Sequence, residues 1–195
     1  MRRSIVVLLV LAALTTSAAY ADSANNVLRF GVGWFDPDAE STINDGASTI
    51  DFSADSATAY FVDYERRLIP WLGLDFEVNY AKPDFVATIG GGGGTATDSE
   101  AIITGSAGVN FHFLARSRVD FYAGAYAAWA TFDDSFEDTF GYGALIGLDI
   151  GITKSGLAIT GSVRYTQLEA DVTGLNGQSV AFDPLLYQLG LGWRF

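Results

Sequence analysis

The chain contains no cysteine, one histidine, two lysines and four prolines in 195 residues. Without cysteine there is no disulfide framework, no thiolate metal site, no cysteine nucleophile and no lipidated N-terminus. A single histidine, His112, excludes a multi-histidine zinc centre. Lysine and arginine together number 11 against 23 acids, a formal net charge of −12, so little is available to face nucleic-acid phosphates. Gly-rich phosphate-binding fingerprints are missing too. No apolar run reaches the ~20 residues that a transmembrane helix needs. What the chain has in quantity is glycine, 22 residues, and aromatic side chains, 14%.

The first residues carry an address. Arg2 and Arg3 are followed by the apolar run Ile5 to Leu14 and by the A-x-A site Ala19-Tyr20-Ala21. A positive start, a short apolar stretch and a small-residue site in that order make a secretory signal. We read residues 1–21 as a cleaved signal peptide and 22–195 as one exported domain. Export leaves two options, a soluble periplasmic β protein or a barrel in an outer membrane.

Periodicity separates them. Apolar residues recur at every second position, the period of a strand with two unlike faces. One such set is Leu28, Phe30, Val32 and Trp34; another is Leu72, Leu74, Phe76, Val78 and Tyr80. A third runs from Phe140 through Tyr142, Ala144, Ile146 and Leu148 to Ile150 and Ile152. The last is Leu185, Tyr187, Leu189, Leu191, Trp193 and Phe195. Weaker alternation over Ala57–Arg66, Ala101–Phe113, Val119–Thr131 and Leu157–Glu169 brings the count to eight strands. Strands of about ten residues suit a tilted membrane crossing, while soluble strands average nearer ~5–6. The fold expected is all-β: an eight-stranded antiparallel up-and-down transmembrane β-barrel.

Connection lengths agree. Arg67–Pro70, Leu114–Arg118 and Lys154–Gly156 are short; Asp36–Ser56, Lys82–Glu100 and Ala170–Ala181 are long. Short turns on the periplasmic side and long loops outside are the rule for such barrels, which puts both termini in the periplasm. The five glycines Gly90–Gly94 read as a flexible surface linker.

The inward set is polar. Arg29, Arg164 and Arg194 share it with Asp63, Glu65, Asp75, Glu77, Asp120 and Asp149. An eight-stranded interior is just wide enough for side chains to fill, so these charges read as a plug of the periplasmic half. A selectivity ring in a water-filled pore is the other reading. Glycines Gly141, Gly143, Gly190 and Gly192 leave room for a ligand or for larger side chains opposite. The loop acids Asp36, Asp38, Glu40, Asp45, Asp51 and Asp55, with Asp133, Asp134, Glu137 and Asp138, read as a solvated surface or as cation bridges to lipopolysaccharide. No cofactor or metal site is expected. His112 faces inward, and Phe113 and Leu114 follow it. The H-x-S spacing of barrel lipid A deacylases is therefore missing, and no enzyme is expected.

The chain end resembles a known signal. The alternation that closes on Trp193-Arg194-Phe195 is similar to the terminal signature that the barrel assembly machinery reads, which would rest on Tyr187, Trp193 and Phe195. Phe182-Asp183-Pro184, the run Gly190-x-Gly192-Trp193-Arg194-Phe195, the stretch Phe121-Tyr122-Ala123-Gly124-Ala125 and Gly147-Leu148-Asp149 together resemble the OmpW family of small outer-membrane barrels. That resemblance implies a Gram-negative outer-membrane location, among lipids and lipopolysaccharide. It also implies a narrow, partly apolar interior proposed to bind or pass small hydrophobic molecules. The alternative is a structural or surface-interaction barrel, similar to the membrane domain of OmpA-type proteins, acting through its acidic loops.

Overall fold

The computed structural model describes residues 25–38, 41–44, 49–90, 93–115, 117–133, 135–173 and 179–195. The expected signal peptide, 1–21, lies outside the described residues, as do Glu40, Asp45 and Asp134. Among the described residues thirteen strands follow in chain order: β1 (Asn26–Asp36), β2 (Ser41–Asn44), β3 (Thr49–Ala54), β4 (Ala57–Ile69), β5 (Leu72–Ala81), β6 (Asp84–Ile89), β7 (Gly94–Ser99), β8 (Ile102–His112), β9 (Val119–Phe132), β10 (Thr139–Gly151), β11 (Leu157–Asp171), β12 (Ser179–Phe182) and β13 (Leu185–Arg194).

Eight of them close a ring. In order around it stand β1, β4, β5, β8, β9, β10, β11 and β13, and β13 returns to β1. Every pairing is antiparallel. Closure matters because a sheet edge in lipid would leave N–H and C=O groups without partners. At the seam, Asn26 and Phe195 exchange backbone hydrogen bonds of 3.0 and 2.9 Å, so the last residue is tied to the first strand.

The alternation has the polarity of a membrane protein. Phe140 is 68% exposed and Leu189 63%, while Glu65, Asp120 and Asp149 are 0% exposed. In water that arrangement would cost free energy on both faces; in lipid the apolar exterior is solvated and only the interior needs partners. Aromatics cluster at both ends of the lipid-facing band. Trp34 stands opposite Tyr187, Tyr60 opposite Tyr80 and Trp129 opposite Phe140 at one end. Trp71, Phe111, Phe113, Phe121 and Trp193 are exposed near the short turns at the other. Amphipathic rings sit well at the two membrane–water boundaries.

Two expectations about connections are corrected, and one feature is added. The second barrel strand does not stop at Arg66: β4 runs on to Ile69, with an irregularity between Arg67 and Ile69, and Arg67 points inward, buried. The long loops carry strands of their own. Strands β2, β3, β6 and β7 form a separate four-stranded sheet beyond the barrel end, and β12 extends the pairing of β11. At its described positions the glycine run is held rather than free: Gly90 donates to Thr49 O at 2.7 Å, and Gly94 opens β7, pairs with Ile89 and has φ of 95°, which glycine adopts without steric cost.

Candidate functional site: a charged floor below an apolar mouth

The periplasmic half of the interior is one connected cluster of charges. Arg29, from β1, is its hub. Its Nε and Nη2 donate to Asp149 at 3.1 and 2.9 Å, its Nη1 to Asp63 at 2.7 Å, and its Nη2 also to Glu65 at 3.0 Å. Arg194, from β13, reaches Asp120 at 3.0 Å and Asp149 at 3.6 Å. Arg164, from β11, donates to Asp75 at 2.6 Å and pairs with Glu77. Asn110 donates to both Glu65 and Asp75, at 3.2 and 3.1 Å, which links the groups.

Two further residues complete the floor. Arg67 donates to Glu65 at 3.0 Å and to Asp120 at 2.6 Å. His112 lies between the same two acids, with Nε2 2.8 Å from Glu65 and Nδ1 3.2 Å from Asp120. Thus Arg29, Asp63, Glu65, Asp75, Glu77, Asp149, Arg164 and Arg194 all stand inside the barrel and in contact, joined by Arg67, Asp120 and His112. Arg67 belongs to the same alternating set as Asp63 and Glu65, so its period was the signal for it.

Two tyrosines from β9 fill what remains. Tyr122 and Tyr126 lie across the interior, with the Arg29 guanidinium 4.8 Å from one ring centre and that of Arg164 4.7 Å from the other. Guanidinium over an aromatic face is attractive, more so away from water. The glycines opposite provide the space for these rings and none for a ligand. A Cβ at Gly147 would come within 2.2 Å of the Tyr122 ring, and one at Gly143 within 2.5 Å of Tyr126. At Gly141 and Gly190 it would meet neighbouring backbone. The space left beside Arg29, Thr160 and Gln188 has room for about one water molecule.

Above the tyrosines the interior turns apolar. Phe35, Ile102, Phe132, Leu168, Val180 and Leu186 form a buried cluster with Phe85, Phe136 and Phe182. Ring centres of Phe136 lie 5.2 Å from Phe85, 5.3 Å from Phe132 and 5.0 Å from Phe182. Ile50, Phe52 and Ala54 of the loop sheet pack on top. Phe85 and Phe136 come from segments that read as loops: Phe136 is a single apolar residue among acids and a serine, and Phe85 starts a short apolar stretch between Lys82-Pro83-Asp84 and the glycine run. They reach the mouth only because β6 and the Phe136–Val172 bridge fold back over it.

The family model described as "Outer membrane protein beta-barrel domain" matches residues 6–195. The chain belongs to that outer-membrane β-barrel family. Solved structures of small outer-membrane barrels share the fold. OprG from Pseudomonas aeruginosa matches with a TM-score of 0.68 at 17% identity, over 87% of this chain and 95% of that one. AlkL, determined in lipid bilayers, matches at 0.65 and 18%, over 92% and 93%. Outer Membrane Protein W of E. coli matches at 0.54 and 20%, over 90% and 100%. No curated protein matches in sequence. The protein is therefore a barrel of the Gram-negative outer membrane, and its short turns and termini face the periplasm.

Proposed function

We propose that this barrel binds small hydrophobic molecules in its outer mouth and passes them on, without enzymatic chemistry. The observation that carries the reading is the buried aromatic group of Phe85, Phe132, Phe136 and Phe182, set inside a barrel whose outer rim is acidic. Apolar solutes gain from contact with such a surface, while polar ones lose hydration there. The interior charges act as a plug rather than a selectivity ring, because four arginines already occupy the acids. Phe85 and the β6–β7 hairpin belong to the loop sheet, so movement of that sheet would uncover the cluster.

The same proposal covers the surroundings. Lipids and lipopolysaccharide contact the exposed aromatic bands. Tyr187 and Trp193 face outward on the last strand, and with Phe195 they form the recognition feature for the barrel assembly machinery. Uptake of a labelled small aromatic hydrocarbon by intact cells tests the transport reading. Cells carrying the protein should accumulate it faster than cells without it, and Phe136→Asp should abolish the gain. Equal uptake by all three strains would contradict the reading.

A second reading has one observation in its favour. The interior is filled, and the loop sheet turns Asp51, Thr88 and Thr95, which are aligned across neighbouring strands, to one exposed face. A structural barrel acting through that sheet, without passing solutes, would lose its phenotype on loop deletion while still assembling.

A further inference from the structure

The exposed charges of the barrel divide by end. The outer connections expose Asp38, Asp51, Asp84, Asp133 and Asp138, with Lys82 among them. The periplasmic end has the opposite sign. Arg66 belongs to the lipid-facing set of β4, between Tyr64 and Leu68, Arg118 closes the turn before β9, and Lys154 stands in the turn between β10 and β11. The ion pairs of the described residues use Arg29, Arg67, Arg164 and Arg194, and give Arg66, Arg118 and Lys154 no acidic partner. The acids of this half, Asp63, Glu65, Asp120 and Asp149, are all buried inside. Among the described residues the periplasmic rim therefore exposes no acidic side chain to offset its cations.

Arg118 and Lys154 share one corner of that rim. Arg118 Nε donates to Gly151 O at 2.6 Å, and Arg118 O accepts from Gly151 N at 2.7 Å. Lys154 follows in the same turn. That turn is fixed by a 2.8 Å bond between the hydroxyls of Thr153 and Ser155, and by Leu157 N donating to Thr153 Oγ1 at 3.2 Å. Trp193 Nε1 donates to Ser155 O at 3.2 Å, which ties the turn to the last strand. Beside the corner the lipid-facing wall exposes Phe121, Ile150 and Ile152. A lipid whose acyl chains lie on that wall brings its phosphate to the two cations. We propose that Arg118 and Lys154 bind the phosphate of an anionic phospholipid, of the phosphatidylglycerol kind, in the leaflet that faces the periplasm. With Nε held by Gly151, both Nη atoms of Arg118 are left for phosphate oxygens, and Lys154 adds a second, compact charge. Phosphatidylethanolamine carries an ammonium besides its phosphate, and the corner presents no acidic side chain to receive it. The anionic lipid is therefore preferred. Arg66, whose Nη1 donates to Asn26 Oδ1 at 3.2 Å, adds to the same positive field elsewhere on the rim. The inference rests on the outer-membrane location and is independent of whether solutes pass through the barrel.

The chain has two lysines, Lys82 and Lys154, so labelling of Nζ with ¹⁵N gives one signal from each end. In folded protein in bilayers of phosphatidylethanolamine and phosphatidylglycerol, lipid ³¹P should dephase the Lys154 signal and leave that of Lys82 nearly unaffected. No dephasing at Lys154, or equal dephasing at both, would overturn the site; the latter would mean indiscriminate attraction between charges. Native mass spectrometry of the folded protein in detergent with added lipid measures the preference. The wild type should bind phosphatidylglycerol more tightly than phosphatidylethanolamine. Arg118→Gln combined with Lys154→Gln should bind phosphatidylglycerol about tenfold more weakly, the effect of losing two cations beside an anionic headgroup. Arg118→Lys, which breaks the bond to Gly151 but keeps the charge, should retain most of the preference, and Lys82→Gln should retain all of it. Equal binding of the two lipids by the wild type, or an undiminished preference in the double variant, would overturn the proposal.

Discussion

Arg29 on β1 and Asp149 on β10 meet across the interior through two nitrogens, at 3.1 and 2.9 Å, although 120 residues separate them. Arg194, next to the C-terminus, lies 3.6 Å from the same carboxylate. The two strands that close the barrel are thus both fastened to its far wall, as well as to each other.

Removing that hub has a clear consequence. Arg29→Ala leaves Asp63, Glu65 and Asp149 short of a buried cation, and breaking a buried pair in this way costs roughly 3–5 kcal/mol. Unfolding by urea in detergent micelles should show a midpoint well below that of the wild type. An unchanged midpoint would mean that the floor is wet and the cluster contributes little.

The tyrosine and glycine pairing predicts a contrast between two substitutions. Gly147→Ala drives a methyl group into the Tyr122 ring, and such overpacking costs about 1–3 kcal/mol. Gly105→Ala has nothing within 4 Å of the new methyl and should be neutral or slightly stabilising. Equal thermal stability of the two variants would show that Tyr122 does not lie over Gly147.

Deleting Phe195 removes both backbone hydrogen bonds to Asn26 and the terminal aromatic. Export should continue, since the proposed signal at 1–21 is untouched, while the amount of heat-modifiable barrel in the outer membrane should fall. Normal amounts of folded protein would refute a recognition role for the terminal residues.

A closed floor also sets a size limit. At neutral pH, liposomes that carry the protein should not swell in a small sugar, because an eight-stranded interior filled by side chains leaves no aqueous path. Swelling comparable to that of a porin would show an open pore.

Much of this was legible in the chain because the membrane imposes a period of two on every crossing strand. Phe30, Val32 and Trp34 could face only lipid, and Arg29 only the interior, once β1 was recognised. That logic reached its limit at Arg67. The turn-like Arg67–Pro70 reads as a short connection where the strand in fact continues, and the contacts of Arg67 with Asp120 and His112 have no local sequence signal. The mouth was hidden for a different reason. Phe85 and Phe136 lie in connections between barrel strands, Phe136 among acids, and only the long-range pairing of the loop sheet and of Phe136 with Val172 carries them inward. The glycines gave the right faces but an ambiguous use, since the space they open can hold either a ligand or a tyrosine from the next strand.

The central claim is that small apolar molecules enter the outer mouth. Its most direct test is a titration of the folded protein with a small aromatic hydrocarbon, observed by NMR with labelled phenylalanine. Resonances of Phe85, Phe132, Phe136 and Phe182 should shift saturably, while lipid-facing Phe30 and Phe76 should not shift beyond the effect of the solute in lipid alone. No saturable shift in the mouth aromatics would contradict the account.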